Sequence, residues 1–235
     1  MFYLGTPNTS PAPNRIPAFP YLTMKTKALS LEGPWIKQYE VQPFPRDEHS
    51  FYTVTASPDF IVKHGNEYLQ FFSGAKEEQG KTKRTLGLAH TKDLDSTWSI
   101  EPAPLFPSEE QVENSSVYYD DHQKTWYLFT NHIGITEKNG EYTDAIWVYW
   151  SKELLHRNEQ NKAVVLDKQN CTWAKGAIGM PTVLKVGNKL SGAGGRGFES
   201  CHLDEPRIFN GSRPCIYLIY RVFCFLAILL STYYS

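Results

Sequence analysis

The residues of this chain best suited to chemistry are two carboxylates, Glu113 and Asp59, placed at the starts of similar strands. Glu113 lies in V-E-N-S-S-V, two residues before Ser115, a place taken by Pro58 and Pro181 in neighbouring copies of the pattern. Asp59, in S-P-D-F, occupies the corresponding strand start one copy earlier. A carboxyl group held among other carboxylates and aromatic rings keeps its proton to higher pH and can protonate a leaving oxygen. Asp59 could orient Glu113 and tune its proton affinity. The plainer readings are a surface glutamate ahead of a turn and an aspartate capping the turn after Pro58. Asn114, Asn131 and His132 flank strand ends and could hydrogen-bond ligand hydroxyls, although a lone histidine after a strand also serves structure. Trp147, with Tyr149 and Trp150, could offer a stacking face or fill a sheet core.

Such side chains act together only if their strands converge. Residues 112–133 read as a strand, a polar turn around 120–123 and an aromatic-rich strand. Residues 54–73, V-T-A-S-P-D-F-I-V-K-H-G-N-E-Y-L-Q-F-F-S, repeat that order, and residues 177–190 begin a third copy. A second marker keeps step: Lys92-Asp93-Leu94 with Trp98 matches Lys152-Glu153-Leu154 and, more loosely, Ser30-Leu31 with Trp35. Leu31, Leu94 and Leu154 are 63 and 60 residues apart; Tyr3, Tyr68 and Tyr127 are 65 and 59 apart. Two markers sharing a period of roughly 60 residues imply units of about four strands. Arranged radially, such units make a β-propeller and bring the inner-strand starts to one axis. A β-sandwich with coincidental turns is the alternative.

Along the chain, residues 1–8 look like an aromatic strand of a first unit, with its innermost strand expected ahead of Met1. Residues 7–20 carry five prolines, which excludes helix and predicts an extended loop at the propeller mouth, or else a surface linker. The second unit covers about residues 50–100, with a polar hairpin tip at 76–84. The third covers about 112–165, with an Asn139-Gly140 turn. A fourth opens near Gly176.

The totals bound the rest. The 235 residues carry 14% aromatics, which suit pleated surfaces, and a net charge of −1, which gives no footprint for nucleic acid. Only Cys171 precedes residue 190, so no disulfide framework is available there. The N-terminus shows no signal-peptide pattern. No phosphate loop, zinc spacing or nucleophile elbow occurs, so no cofactor is expected, with a structural calcium left open.

Residues 191–235 differ in kind: four Arg and no Lys, against sixteen Lys and four Arg before them. Arg221 leaves only about nine clean apolar residues, short of the ~20 of a membrane span. This tail is expected to be unrelated to the propeller, helical or disordered, and a frameshift or fusion product joined near residue 190.

Inner strands of the form x-P-x-V with Y-L nearby, closed by S/T-K-D-L-x-x-x-W, resemble the five-bladed β-propeller glycoside hydrolases of family 43 and its relatives. The likeness covers about residues 1–190, an incomplete copy of about three blades. It implies an all-β fold and hydrolysis of glycosidic bonds in an oligo- or polysaccharide with inversion at the anomeric carbon. On the matching positions Glu113 would be the acid and Asp59 its tuning partner, with Asn114, Asn131, His132 and Trp147 near the sugar. The base would come from the strand ahead of Met1, so the isolated chain is expected to be inactive or very slow. Full-length relatives would be secreted or periplasmic. Two rivals stand beside this. Residues 91–98, T-K-D-L-D-S-T-W, approach the sialidase box S-x-D-x-G-x-T-W, yet only Arg15, Arg46, Arg84 and Arg157 precede residue 190 to hold a substrate carboxylate. A non-catalytic carbohydrate-binding propeller is the other.

Overall fold

Alternating apolar and polar residues, punctuated by turn formers, build successive antiparallel sheets. The computed structural model describes residues 1–45, 47–136, 140–167, 169, 178–186 and 189–193. The first sheet runs β1 (Phe2–Gly5), β4 (Leu22–Lys27), β5 (Ile36–Lys37), with a small β2 (Asn8–Thr9) and β3 (Pro17–Ala18) hairpin in the proline-rich loop. The second runs in order β6 (Thr55–His64), β7 (Glu67–Glu78), β8 (Lys81–Thr91), β9 (Ser99–Ile100). The third repeats that order with β10 (Val112–Asp120), β11 (Thr125–Thr136), β12 (Gly140–Ser151) and β13 (Lys162–Asp167). A further hairpin joins β14 (Thr182–Val186) to β15 (Lys189–Ala193). The one helical element among the described residues is the 3-10 turn Ser108–Glu110.

Each meander presents its first strand to its neighbours. β10 packs against β6 and β14, and the Val183 N–H donates to Ser116 Oγ at 3.2 Å. The apolar side chains fill the spaces between successive sheets. Phe72, Ala89 and Trp98 of the second sheet's unit meet Phe2 of the first. Leu69, Phe71, Leu86 and Leu88 meet Val117, Leu128 and Tyr149 of the third. Tyr127, Phe129 and Val148 meet Val183 of β14. Sheets stacked face to face around one side, inner strand to inner strand, are the repeating interface of a β-propeller. Burying each of the phenylalanines contributes about 1.5–3 kcal/mol.

The expected hairpin tip at 76–84 is the tight β7–β8 turn, with Gln79 and Gly80 both at positive φ. The proline-rich loop leaves β1 and returns at Tyr21, which bridges Thr55, so it lies at the end where β6 begins. Trp98 and Leu154 are buried as the closing markers require, whereas Leu31 in the looser first copy is exposed. Residues 137–139, which include Asn139 of the expected turn, and residues 194–235 of the tail lie outside the described residues.

Candidate active site

The pairing of β6 with β7 and of β10 with β11 carries the same irregularity. Pro58 pairs with Phe72 and Ile61 with Gln70; Glu113 pairs with Asn131 and Ser116 with Phe129. In each case three steps on the inner strand face two on its partner, a β-bulge. Tyr68 corresponds to Tyr127, so Phe72 corresponds to Asn131, and Glu113 is level with Pro58. Asn114, not Ser115, is then the counterpart of Asp59. Sequence spacing registers Ser115 with the prolines because the connection between the paired Tyr118 and Tyr127 is four residues longer than that between the paired Lys63 and Tyr68. Asn114 takes a left-handed φ of 57°, a conformation asparagine tolerates better than most residues.

The two bulges face each other, and hydrogen bonds tie them together. The Ser115 N–H and Oγ–H donate to Asp59 Oδ2 at 2.9 and 2.8 Å. Ser73 Oγ, on β7, donates to the same carboxylate at 3.0 Å from either oxygen and accepts the Asn114 N–H at 2.7 Å. Burial pushes the Asp59 carboxyl up to about 7, against the pull of these donors, and the Glu113 charge adds to the rise. Asp59 is thus a group that exchanges its proton near neutrality.

Glu113 stands immediately beside this cluster. Its Oε2 is 3.2 Å from Arg84 Nε of β8, and its Oε1 accepts from Asn114 Nδ2 at 3.3 Å. Thr130 Oγ1 donates to the Glu113 carbonyl at 2.6 Å, which fixes the backbone at the bulge. The guanidinium and the asparagine amide each engage one oxygen of the carboxyl group.

The other candidates divide. Asn131, 1% exposed, donates to the carbonyls of Ile178 and Gly179 at 3.1 Å each, holding the approach to β14. Asn114 Nδ2 also reaches Asn131 Oδ1 at 3.3 Å, so the two asparagines link adjacent inner strands. His132 lies opposite Val112, stacks on Trp147 with centroids 4.0 Å apart and pairs through Nδ1 with Asp144 Oδ1 at 2.5 Å. Trp147 also has Lys162 Nζ 4.6 Å over its ring, and Lys162 is held by Glu110. Its flanks are therefore taken by protein groups from β11 and β13. Ser73, Ser115, Arg84 and Asp144 take part in the site although no motif singled them out. Each meets its partner across strands, and a serine or arginine inside a strand carries no local signal. Among the described residues, no three His, Cys, Asp or Glu side chains cluster as metal ligands, and no helix is long and apolar enough to cross a membrane.

Solved structures share this arrangement of sheets. A thermostable family-43 glycoside hydrolase superposes with a TM-score of 0.58 at 14% identity, over 81% of this chain and 62% of its own. Another glycoside hydrolase gives 0.56 at 14% identity, covering 80% and 64%. An endo-arabinase from Bacteroides thetaiotaomicron gives 0.52 at 14% identity, covering 72% and 59%. The fold is that of the propeller glycoside hydrolases. The chain spans less than two thirds of the length of each of these proteins. No family model and no curated protein matches the sequence.

Proposed function

We propose that this glycosidase-type propeller hydrolyses O-glycosyl bonds of an oligo- or polysaccharide, with Glu113 as the acid that protonates the leaving oxygen. The supporting observation is the joining of Asp59 and Glu113 across two adjacent inner-strand bulges. Asp59, with both oxygens engaged by Ser73 and Ser115, is placed to tune rather than to touch the sugar. Its charge changes near pH 7 and acts on Glu113 through the shared strand ends. In an inverting reaction the water or other nucleophile attacks the anomeric carbon from the face opposite the leaving oxygen, and the acid delivers one proton to that oxygen.

The test separates acid from base. Oligosaccharides with unactivated leaving groups are incubated with the chain, with and without sodium azide, and released sugars are followed by proton NMR. Azide attacks without being deprotonated, so its turnover to the inverted glycosyl azide depends on Glu113 and not on a base. Glu113→Gln is expected to slow that turnover by about 10²–10⁴-fold. Oligosaccharide binding without turnover under either condition, unchanged in Glu113→Gln, would instead support a carbohydrate-binding propeller.

A further inference from the structure

His132 and Asp144 form a second polar pair that no motif of the sequence announces. They are not neighbours in sequence; a bulge brings them together. His132 pairs with Ala145 but Ile133 pairs with Thr143, so Asp144 is the extra residue of β12. Its carboxylate then lies over Gly134 of β11. A Cβ built at Gly134 would sit 2.5 Å from Asp144 Oδ2, so any larger residue there would displace the carboxylate. The imidazole is stacked on the Trp147 indole with an interplanar angle of 8°, which leaves the ring one plane to occupy. Three separate features, the bulge, the glycine and the indole, therefore fix one ring nitrogen against one carboxylate.

We propose that Asp144 is a positioning residue that sets the tautomer of His132, so that Nε2 offers a lone pair to a sugar hydroxyl beside Glu113. A carboxylate accepts, so Nδ1 carries the proton of the neutral ring and Nε2 becomes an acceptor. Among the described residues Nε2 has no hydrogen-bond partner, and the His132 side chain is 21% exposed. Its strand position, opposite Val112, puts it one residue from the Glu113–Asn131 pair at the end of the sheet where the inner strands begin. The ligand half of this inference rests on the proposed function; the tautomer half does not.

Nitrogen-15 NMR of histidine-labelled protein at pH 8 reads both halves. In the wild type, Nε2 of His132 is expected at the unprotonated position and Nδ1 at the protonated one. Asp144→Ala is expected to return the ring to the Nε2–H form, with Asp144→Asn as a second variant that keeps the side-chain volume. Saturation with pentose or hexose oligosaccharides is expected to shift the wild-type Nε2 signal. Losing the contact in Asp144→Ala or His132→Ala weakens binding up to about tenfold, and the double variant is no weaker than either single one. An Nε2–H wild type overturns the positioning role. An Nε2 signal that stays put while oligosaccharide saturates the protein overturns the sugar contact. If no oligosaccharide of the panel binds, the proposed function and the sugar contact fall together, and the tautomer still decides the role of Asp144.

Discussion

At the scale of single residues, the chemistry turns on one hydroxyl. Ser73 accepts from the backbone of the Glu113 strand and donates to Asp59, so it joins the two carboxylate-bearing strands. Ser73→Ala leaves the Asn114 N–H without its acceptor, which is expected to cost about 1–3 kcal/mol in urea denaturation. It also removes a donor that favours the ionised Asp59, so the carboxyl should titrate higher still. Asp59 itself makes a signed prediction. Its folded-state pKa, about 7, is raised above the ordinary aspartate value of 3.8, so the native state binds the proton more tightly than the unfolded chain. Stability should therefore fall as pH rises from about 4 to about 7 and level off above that range. Asp59→Asn, which cannot titrate, should flatten this part of the curve. A wild-type profile that rises through the same window would contradict the burial described for Asp59.

At the scale of strands and turns, close approach decides what is tolerated. Gly87 of β8 lies under the Phe72 and Phe51 rings; a Cβ there would sit 2.2 Å from Phe72 Cζ. Gly87→Ala is expected to destabilise by about 1–3 kcal/mol through overpacking, measured by thermal or urea denaturation. A neutral result would mean that the aromatic cluster can move aside. The strands and their order were legible in the sequence because alternation and aromatic content both follow burial on a pleated surface. The four-strand unit and the buried Trp98 and Leu154 closures were legible for the same reason. The bulges were not. A bulge leaves no mark in hydropathy, and the longer β10–β11 turn offset the spacing, so Ser115 rather than Glu113 fell into register with the prolines. The Ser73, Arg84 and Asp144 partners were hidden for a related reason, since cross-strand contacts depend on register that spacing alone does not supply.

At the scale of the molecule, the sheets stand or fall together because their cores lie between them rather than within them. Phe71, fully buried, projects from the second sheet into the cluster that includes Val117, Leu128 and Tyr149 of the third. Phe71→Ala is expected to cost about 3–5 kcal/mol and to weaken both sheets in one transition. Two separated transitions would show that the sheets fold independently. The repeat of roughly 60 residues foretold this architecture, because only units that bury faces against each other need to recur at a fixed spacing. The central claim is that the architecture delivers the Glu113 carboxyl to a glycosidic oxygen. The most direct measurement is a crystal structure of the Glu113→Gln chain with a bound oligosaccharide. The predicted result is a sugar at the starts of β6 and β10 with its glycosidic oxygen about 2.6–3.2 Å from the residue-113 side chain. A sugar bound away from that junction, with residue 113 out of its reach, would contradict the account.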